Sequence, residues 1–198
     1  MVKGIFKFMV VFLVTVHAAP YIFIVEKFPS LYKSFAIRLS LVNGYYGRIL
    51  RRKYYSSTLL KCGSNLDVHF GAYICYPTVE VGDNVVIEEY CVVSNCSLGN
   101  DVILAARVSI MSGAHHHDVA DVSTIFRNSK SFARKVVVGD NVWIGTHAVV
   151  MSDIGGHCAI GAGAVVTREI DVFSVALGVP AKVVKDRRSL NGGGGVRG

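Results

Sequence analysis

Aliphatic residues recur at every sixth position through two long stretches of the chain. In the second stretch they stand at Val138, Ile144, Val150, Ile154, Ile160 and Val166, with one shortened step before Ile154. In the first, Val81, Ile87 and Val93 are followed by a five-residue step to Leu98, then Leu104 and Ile110. Extended backwards, the same beat predicts that Phe70 and Tyr76 begin the column. A six-residue period matches neither the period of about 3.6 of an amphipathic helix nor that of about 2 of simple strand alternation. It fits short strands joined by tight turns, each strand sending one branched side chain inward. Gly139, Gly145, Gly161 and Gly163 follow closely, where a chain turning a corner needs small or permissive residues. A column of Val and Ile stays dry only if every rung stacks on another, so the pattern predicts a continuous coil. The two blocks bracket His115-His116-His117 and an irregular arm loop over about 116–135.

The N-terminal quarter follows different patterning. Phe8 to Val25 contains no Asp, Glu, Lys or Arg, while Lys3 and Lys7 precede it. Three readings fit. One is a secretory signal ending near Ala18-Ala19. Another is a membrane-spanning helix, for which the run just reaches the required length. The third is a pair of apolar helices, interrupted at Pro20, that lie on a membrane or pack on the coil. Membrane association by one of the last two is favoured. Phe28 to Tyr55 then reads as one or two amphipathic helices opened by Pro29-Ser30, with Leu31, Phe35, Leu39 and Val42 on one stripe and a break at Asn43-Gly44. Arg48, Arg51, Arg52 and Lys53 form a basic cluster that is either a solvated face or directed at anionic headgroups on the cytoplasmic side. The expected organisation is a helical, membrane-associated segment over 1–60, a coil domain over 61–190 and a flexible tail over 191–198.

The formal charge of +7 over 198 residues points to a polyanionic partner. Nucleic acid is disfavoured, because the basic residues cluster near the two ends with no aromatic-rich recognition motif between them. The five cysteines are odd in number and lack CxxC spacing. They read as rung residues of a protein in a reducing compartment, not as a disulfide or zinc framework.

The motifs V-GDNVW-IGTHAVV, GAGAVVT and GVPAKVV, taken with the beat, resemble the hexapeptide-repeat acyltransferases over roughly Leu66 to Lys185. The branch resembled is that of the maltose, galactoside and polysaccharide O-acetyltransferases. The resemblance implies a mainly β fold, a left-handed parallel β-helix of triangular section. It also implies a homotrimer with acetyl-CoA held between neighbouring coils. His115 matches the family's catalytic base just before the arm. A sugar hydroxyl is a poor nucleophile until a base takes its proton, and imidazole with a pKa of about 6.5 suits that task. His117 and Asp118 become candidates for substrate contact or for orienting a histidine. Glu88 either hydrogen-bonds the acceptor or only serves its turn. Trp143 is expected at a subunit contact or along the cofactor groove. Thr146 and Ala162 match positions lining the pantetheine arm, and Thr167, Arg168, Lys182 and Lys185 match the region meeting the nucleotide end. A metal held by His115 and His117 lacks a clear third ligand, so no metal is expected. Two departures stand out: the shortened step from Val150 to Ile154, and Asp171 where proline is common. The implied function is acetyl-CoA-dependent O-acetylation of a sugar hydroxyl in a surface polysaccharide or its precursor, at the cytoplasmic face of the membrane. N-acetylation of a nucleotide-linked amino sugar and a non-catalytic scaffold are the alternatives.

Overall fold

The computed structural model describes residues 2–112 and 134–192. His115, His116, His117, Asp118 and most of the expected arm loop lie outside the described residues. The chain opens with helix α1 (Val2–Lys27), a 3-10 turn (Pro29–Leu31), α2 (Tyr32–Ser40) and α3 (Gly44–Thr58). The coil then climbs in rungs. The first holds β1 (Lys61–Cys62), β2 (Asp67–Val68) and β3 (Tyr73–Ile74), and the second β4 (Glu80–Val81), β5 (Val86–Ile87) and β6 (Val92–Val93). The third holds β7 (Cys96–Leu98), β8 (Ile103–Leu104) and β9 (Ser109–Ile110), and the fourth β10 (Val136–Val138), β11 (Trp143–Ile144) and β12 (Val149–Val150). Ile154 leads into β13 (Ala159–Ile160) and β14 (Val165–Val166). An antiparallel hairpin of β15 (Ser174–Leu177) and β16 (Lys182–Asp186) closes the coil.

Equivalent strands pair in parallel and in register, giving three sheets that we call faces A, B and C in chain order. Because the pairing is in register, like stacks on like: Val68, Ile87, Leu104, Ile144, Ile160 and Ala176 fill the inner side of face B. A second buried column, absent from the six-residue analysis, stands two positions earlier in each step, at Val85, Val102, Val142 and Cys158 among others. Two buried side chains per step make a narrow prism with a packed interior. The column begins at Val68 and Ile74, not at Phe70 and Tyr76. Phe70 sits on the corner between faces B and C, edge-on to Tyr90 at 5.8 Å, and Tyr76 lies outside with 45 % of its surface exposed.

Steps from face A to B and from B to C are uniformly six residues. Every departure falls at the corner between faces C and A: Ile74 to Val81, Val93 to Leu98, Ile110 to Val138, Val150 to Ile154 and Val166 to Ile170. The arm is inserted at this same corner. The step before Ile154 is thus one of two successive short corners, and Ile154 bridges Val138 and Ile170 in register. Gly145 permits the coil to close up, since a Cβ there would lie 2.6 Å from the Ala162 nitrogen. Gly163 supplies a left-handed turn at φ 68°.

The helices cap the first rung. α2 and α3 pack on β1, β2 and β3, and α1 packs on α3. Pro20 does not end α1, which continues to Lys27 with Ala18 and Val25 buried on either side of it. On α2 the buried stripe is Tyr32, Ala36, Leu39 and Ser40. Leu31 is exposed and Phe35 and Val42 only half-buried, because the helix starts at Tyr32, whose ring stacks on Tyr54 at 5.7 Å. Three of the four clustered basic residues help dock α3; Arg51 does so from a buried position, contrary to the solvated or lipid-facing expectation, while Arg48, Arg52 and Lys53 stay exposed. Arg48 pairs with Asp67, and Arg52 donates to the Leu66 carbonyl at 2.6 Å. Arg51, 1 % exposed, donates to the carbonyls of Val68, Leu39, Ser40 and Val42. It satisfies acceptors that the end of α2 leaves open, and burial pulls its pKa down. All five cysteines are free thiols, and burial pushes Cys91 up to about 11 and Cys96 up to about 12. At the C-terminus a 3-10 turn spans Arg187–Gly192 and takes in the first two residues of the expected tail.

Candidate active site

The chain leaves β9 through Met111 and Ser112 and returns through Arg134 and Lys135 into β10. These two ends are pinned together, the Arg134 N–H donating to the Ser112 carbonyl at 2.9 Å. Rungs on both sides hold the junction. From above, Asp153 accepts from the Arg134 guanidinium at 2.9 Å and from the Val137 N–H at 2.8 Å. From below, the Lys135 ammonium pairs with Glu80, and the Val136 N–H donates to the Asn95 carbonyl at 3.0 Å. Lys135 holds the Glu80 carboxyl below its ordinary pKa. His115, three residues beyond Ser112, therefore follows a fixed point on the C-to-A corner.

The corner also carries polar groups that the sequence analysis did not single out. The Asn95 N–H donates to Ser112 Oγ at 3.5 Å, and Ser94 Oγ donates to Cys75 Sγ at 3.8 Å. Their only signal in the sequence is the shortened step between Val93 and Leu98, which places Ser94 and Asn95 on the turn.

The other candidates divide among different edges. Glu88, Thr146 and Ala162 share the B-to-C corner. Glu88 Oε2 accepts from the Ala106 N–H at 3.0 Å, so one of its oxygens serves the turn. Thr146 Oγ1 donates to the Ala106 carbonyl at 2.6 Å, and the Thr146 carbonyl accepts from the Gly163 N–H at 2.8 Å. Ala162 is exposed, and a Cβ built at Gly163 would meet nothing within 4 Å. Small residues and open space here fit the close approach of an amide-bearing chain. Trp143, 46 % exposed, lies outward on face B beside Ile103. Thr167 and the exposed Arg168 stand on the C-to-A corner, on the arm's edge but further along the axis. Lys182 and Lys185 are exposed on β16, opposite Leu177 and Val175. Four exposed or partly exposed donors near the closing end suit phosphate groups. Asp171 is exposed and does not interrupt the coil, since its carbonyl accepts from Cys158 Sγ at 3.0 Å. Among the described residues, no three His, Cys, Asp or Glu side chains converge as metal ligands.

A further polar group was missed by sequence reasoning at the seam of cap and coil. His69 Nδ1 lies 3.0 Å from Glu89 Oε1, and its Nε2 lies 3.5 Å from Asp67 Oδ2. With Asn43, Tyr45, Arg48 and Phe70 it lines a cavity of about 240 Å³. Burial opposes the Asp67 carboxylate, but Arg48 outweighs it and holds the pKa below the ordinary value.

No family model matches the chain. Among curated proteins it is similar to the galactoside O-acetyltransferase of Escherichia coli K12, 29 % identical over 136 residues that cover 63 % of this chain and 62 % of that protein. It is also similar to the putative lipopolysaccharide biosynthesis O-acetyl transferase WbbJ of the same organism, 30 % identical over 113 residues, 52 % of this chain and 58 % of that one. The chain spans less than two thirds of the length of the curated relatives it matches. Among solved structures it resembles a maltose O-acetyltransferase from Clostridium difficile 630, with a TM-score of 0.67 and 27 % identity over 78 % of this chain and 84 % of that one. With its three-faced parallel coil and these likenesses, the chain is similar to the hexapeptide-repeat, left-handed β-helix acyltransferases, among them the galactoside and maltose O-acetyltransferases.

Proposed function

We propose that the protein is an acetyl-CoA-dependent O-acetyltransferase acting on a sugar hydroxyl of a surface polysaccharide or its precursor. The observation that carries this reading is the arm's base, clamped between rungs by Ser112, Arg134 and Asp153 immediately before His115. Acetyl-CoA supplies the activated acetyl group as a thioester. His115 takes the hydroxyl proton as the oxygen attacks the carbonyl, and returns a proton to the departing thiol. A base so placed contributes about 10²–10⁴-fold, and a backbone N–H of the coil would stabilise the developing oxyanion. His117 and Asp118, close to His115 in the sequence, are candidates to contact the acceptor, and Ser94 and Asn95 offer hydrogen bonds from the corner below. Glu88 has one carboxylate oxygen left for the sugar.

For the donor, Thr146 and Ala162 would flank the pantetheine, Trp143 would border the groove, and Thr167, Arg168, Lys182 and Lys185 would meet the nucleotide end. These groups lie on different edges of one prism, so an arrangement of three copies would bring an edge of one against a face of the next. The exposed Trp143 and Ile103 side chains suit that contact. Membrane contact through residues 1–55 on the cytoplasmic side would put the enzyme beside envelope precursors. The test is His115→Ala. Turnover should fall at least about a hundredfold, with acetyl-CoA affinity and oligomeric state unchanged. Turnover equal to the parent protein would end the assignment.

A further inference from the structure

The outer layer of the cap is an apolar helix without a partner. α1 reaches the coil through α3, docking on it by Val10, Val14 and Ala18, one residue per turn, and by a hydrogen bond of 2.9 Å between His17 Nδ1 and Tyr46 Oη. Over residues 9–27 much of the remaining circumference is open. Met9, Phe12, Leu13, Val16 and Phe23 are all about half exposed or more, and only 22 % of the Met9–Lys27 window is buried. The exposed apolar surface continues beyond the helix through Phe28, Leu31, Ile37 and Leu41. An apolar face this extended marks an interaction site. Charge identifies the partner: residues 1–60 carry nine lysines and arginines against a single carboxylate, Glu26. Of these cations, Lys27, Lys33 and Arg38 are exposed on α1 and α2, beside the apolar residues.

By length and composition α1 is able to cross a bilayer, but its docking argues against that orientation. A spanning α1 would draw α3, with Arg48, Arg51, Arg52 and Lys53, into hydrocarbon, where each cation is costly. We infer that α1 lies flat in the interface of an anionic membrane, with α2 and α3 behind it and the coil standing off the surface. An interfacial helix of this kind buries its apolar side below the headgroups while neighbouring cations meet the lipid phosphates. The arm base leaves the third rung. With rungs about 4.8 Å apart, it stands only about 10 Å beyond the rung that carries the cap. On the acyltransferase reading above, the acceptor is therefore a saccharide displayed at the bilayer surface on a lipid carrier, not one free in solution.

The test is flotation of the full chain with vesicles of phosphatidylcholine containing about one third phosphatidylglycerol, against phosphatidylcholine alone. The chain should float with the anionic vesicles and bind the neutral ones at least about tenfold less. The double variant Phe12→Glu, Val16→Glu changes only exposed positions. It should keep its circular dichroism and acetyl-CoA affinity while losing vesicle binding at least about tenfold. Failure of the parent chain to float, or equal flotation of the variant, overturns the inference. An N-terminal epitope on vesicle-bound protein should stay open to external protease, and its protection would mean that α1 crosses the bilayer. Acetyl transfer should be at least about tenfold faster to a lipid-linked saccharide on vesicles than to the same saccharide free. Equal rates would overturn the acceptor assignment alone. Flotation without acetyl-CoA binding would leave the lipid surface standing and count against the acyltransferase reading.

Discussion

Replacing Arg51 by methionine tests the joint between cap and coil most severely. The guanidinium is buried and donates to four carbonyls: Val42 at 2.7 Å, Val68 at 2.8 Å, Leu39 at 3.1 Å and Ser40 at 3.3 Å. Methionine keeps much of the apolar stem but leaves these acceptors without their shared donor. A buried acceptor left unpaired costs about 1–3 kcal/mol. Val68, served by Nε, and Val42, served by Nη1, are held at the shortest distances, whereas the longer contacts to Leu39 and Ser40 share Nη1 with Val42 and contribute less. Against this loss stands relief from desolvating a cation, which already pulls the Arg51 pKa down. The difference comes to about 3 kcal/mol, set mainly by the Val42 and Val68 carbonyls left unpaired. For a chain of this size that corresponds to a drop in Tm of about 6–12 °C. The assay is thermal unfolding followed by the helical circular dichroism signal, with Lys53→Met as the exposed control, expected within about 0.5 kcal/mol of the parent. An Arg51→Met protein melting within about 2 °C of the parent would refute the argument, because the carbonyls would then have found other donors.

Two further outcomes follow from the same contacts. Arg134→Ala should loosen the arm's base and lower kcat about tenfold with the KM for acetyl-CoA unchanged, and Arg134→Lys should restore part of the loss. An equal loss in both variants, or a rise in KM without a change in kcat, would mean that the clamp does not position the arm. Asp67 has its folded pKa depressed by Arg48, so its contribution to stability is present above the unfolded carboxylate value near about 3.9 and is lost as pH falls through the lower folded value. Asp67→Asn should therefore flatten the fall in stability below about pH 4, measured by denaturant unfolding, and an unaltered pH profile would show that the pair is not coupled to folding.

The coil was legible in the sequence because its repetition is simple. An in-register parallel pairing demands the same kind of residue at the same place in every rung, and Val81 through Ile110 and Val138 through Val166 meet that demand. The start of the column was misplaced because Phe70 and Tyr76 also stand six apart, and nothing in their spacing says that they occupy corners. That follows from Val68 and Ile74 being the residues whose strands pair with β5 and β6. Arg51 was illegible for a different reason. A basic cluster on a helix resembles a solvated face, and the carbonyls that make its burial tolerable meet only when the end of α2 is brought against β2. For Ser94 and Asn95 the shortened step from Val93 to Leu98 marks only the turn, and it is stacking at that corner that sets Asn95 beside Ser112. The role assigned to His115 rests on motif position, reinforced by the clamp that precedes it.

The account is tested most directly by mass spectrometry of surface glycans from cells with the intact protein, without it, and with His115→Ala. Glycans from the first should carry an additional acetyl group on one sugar, removed by mild alkali as an ester is, and the other two should lack it. Identical glycans in all three, or an added acetyl group that survives alkali as an amide does, would contradict a histidine-driven transfer to a sugar hydroxyl.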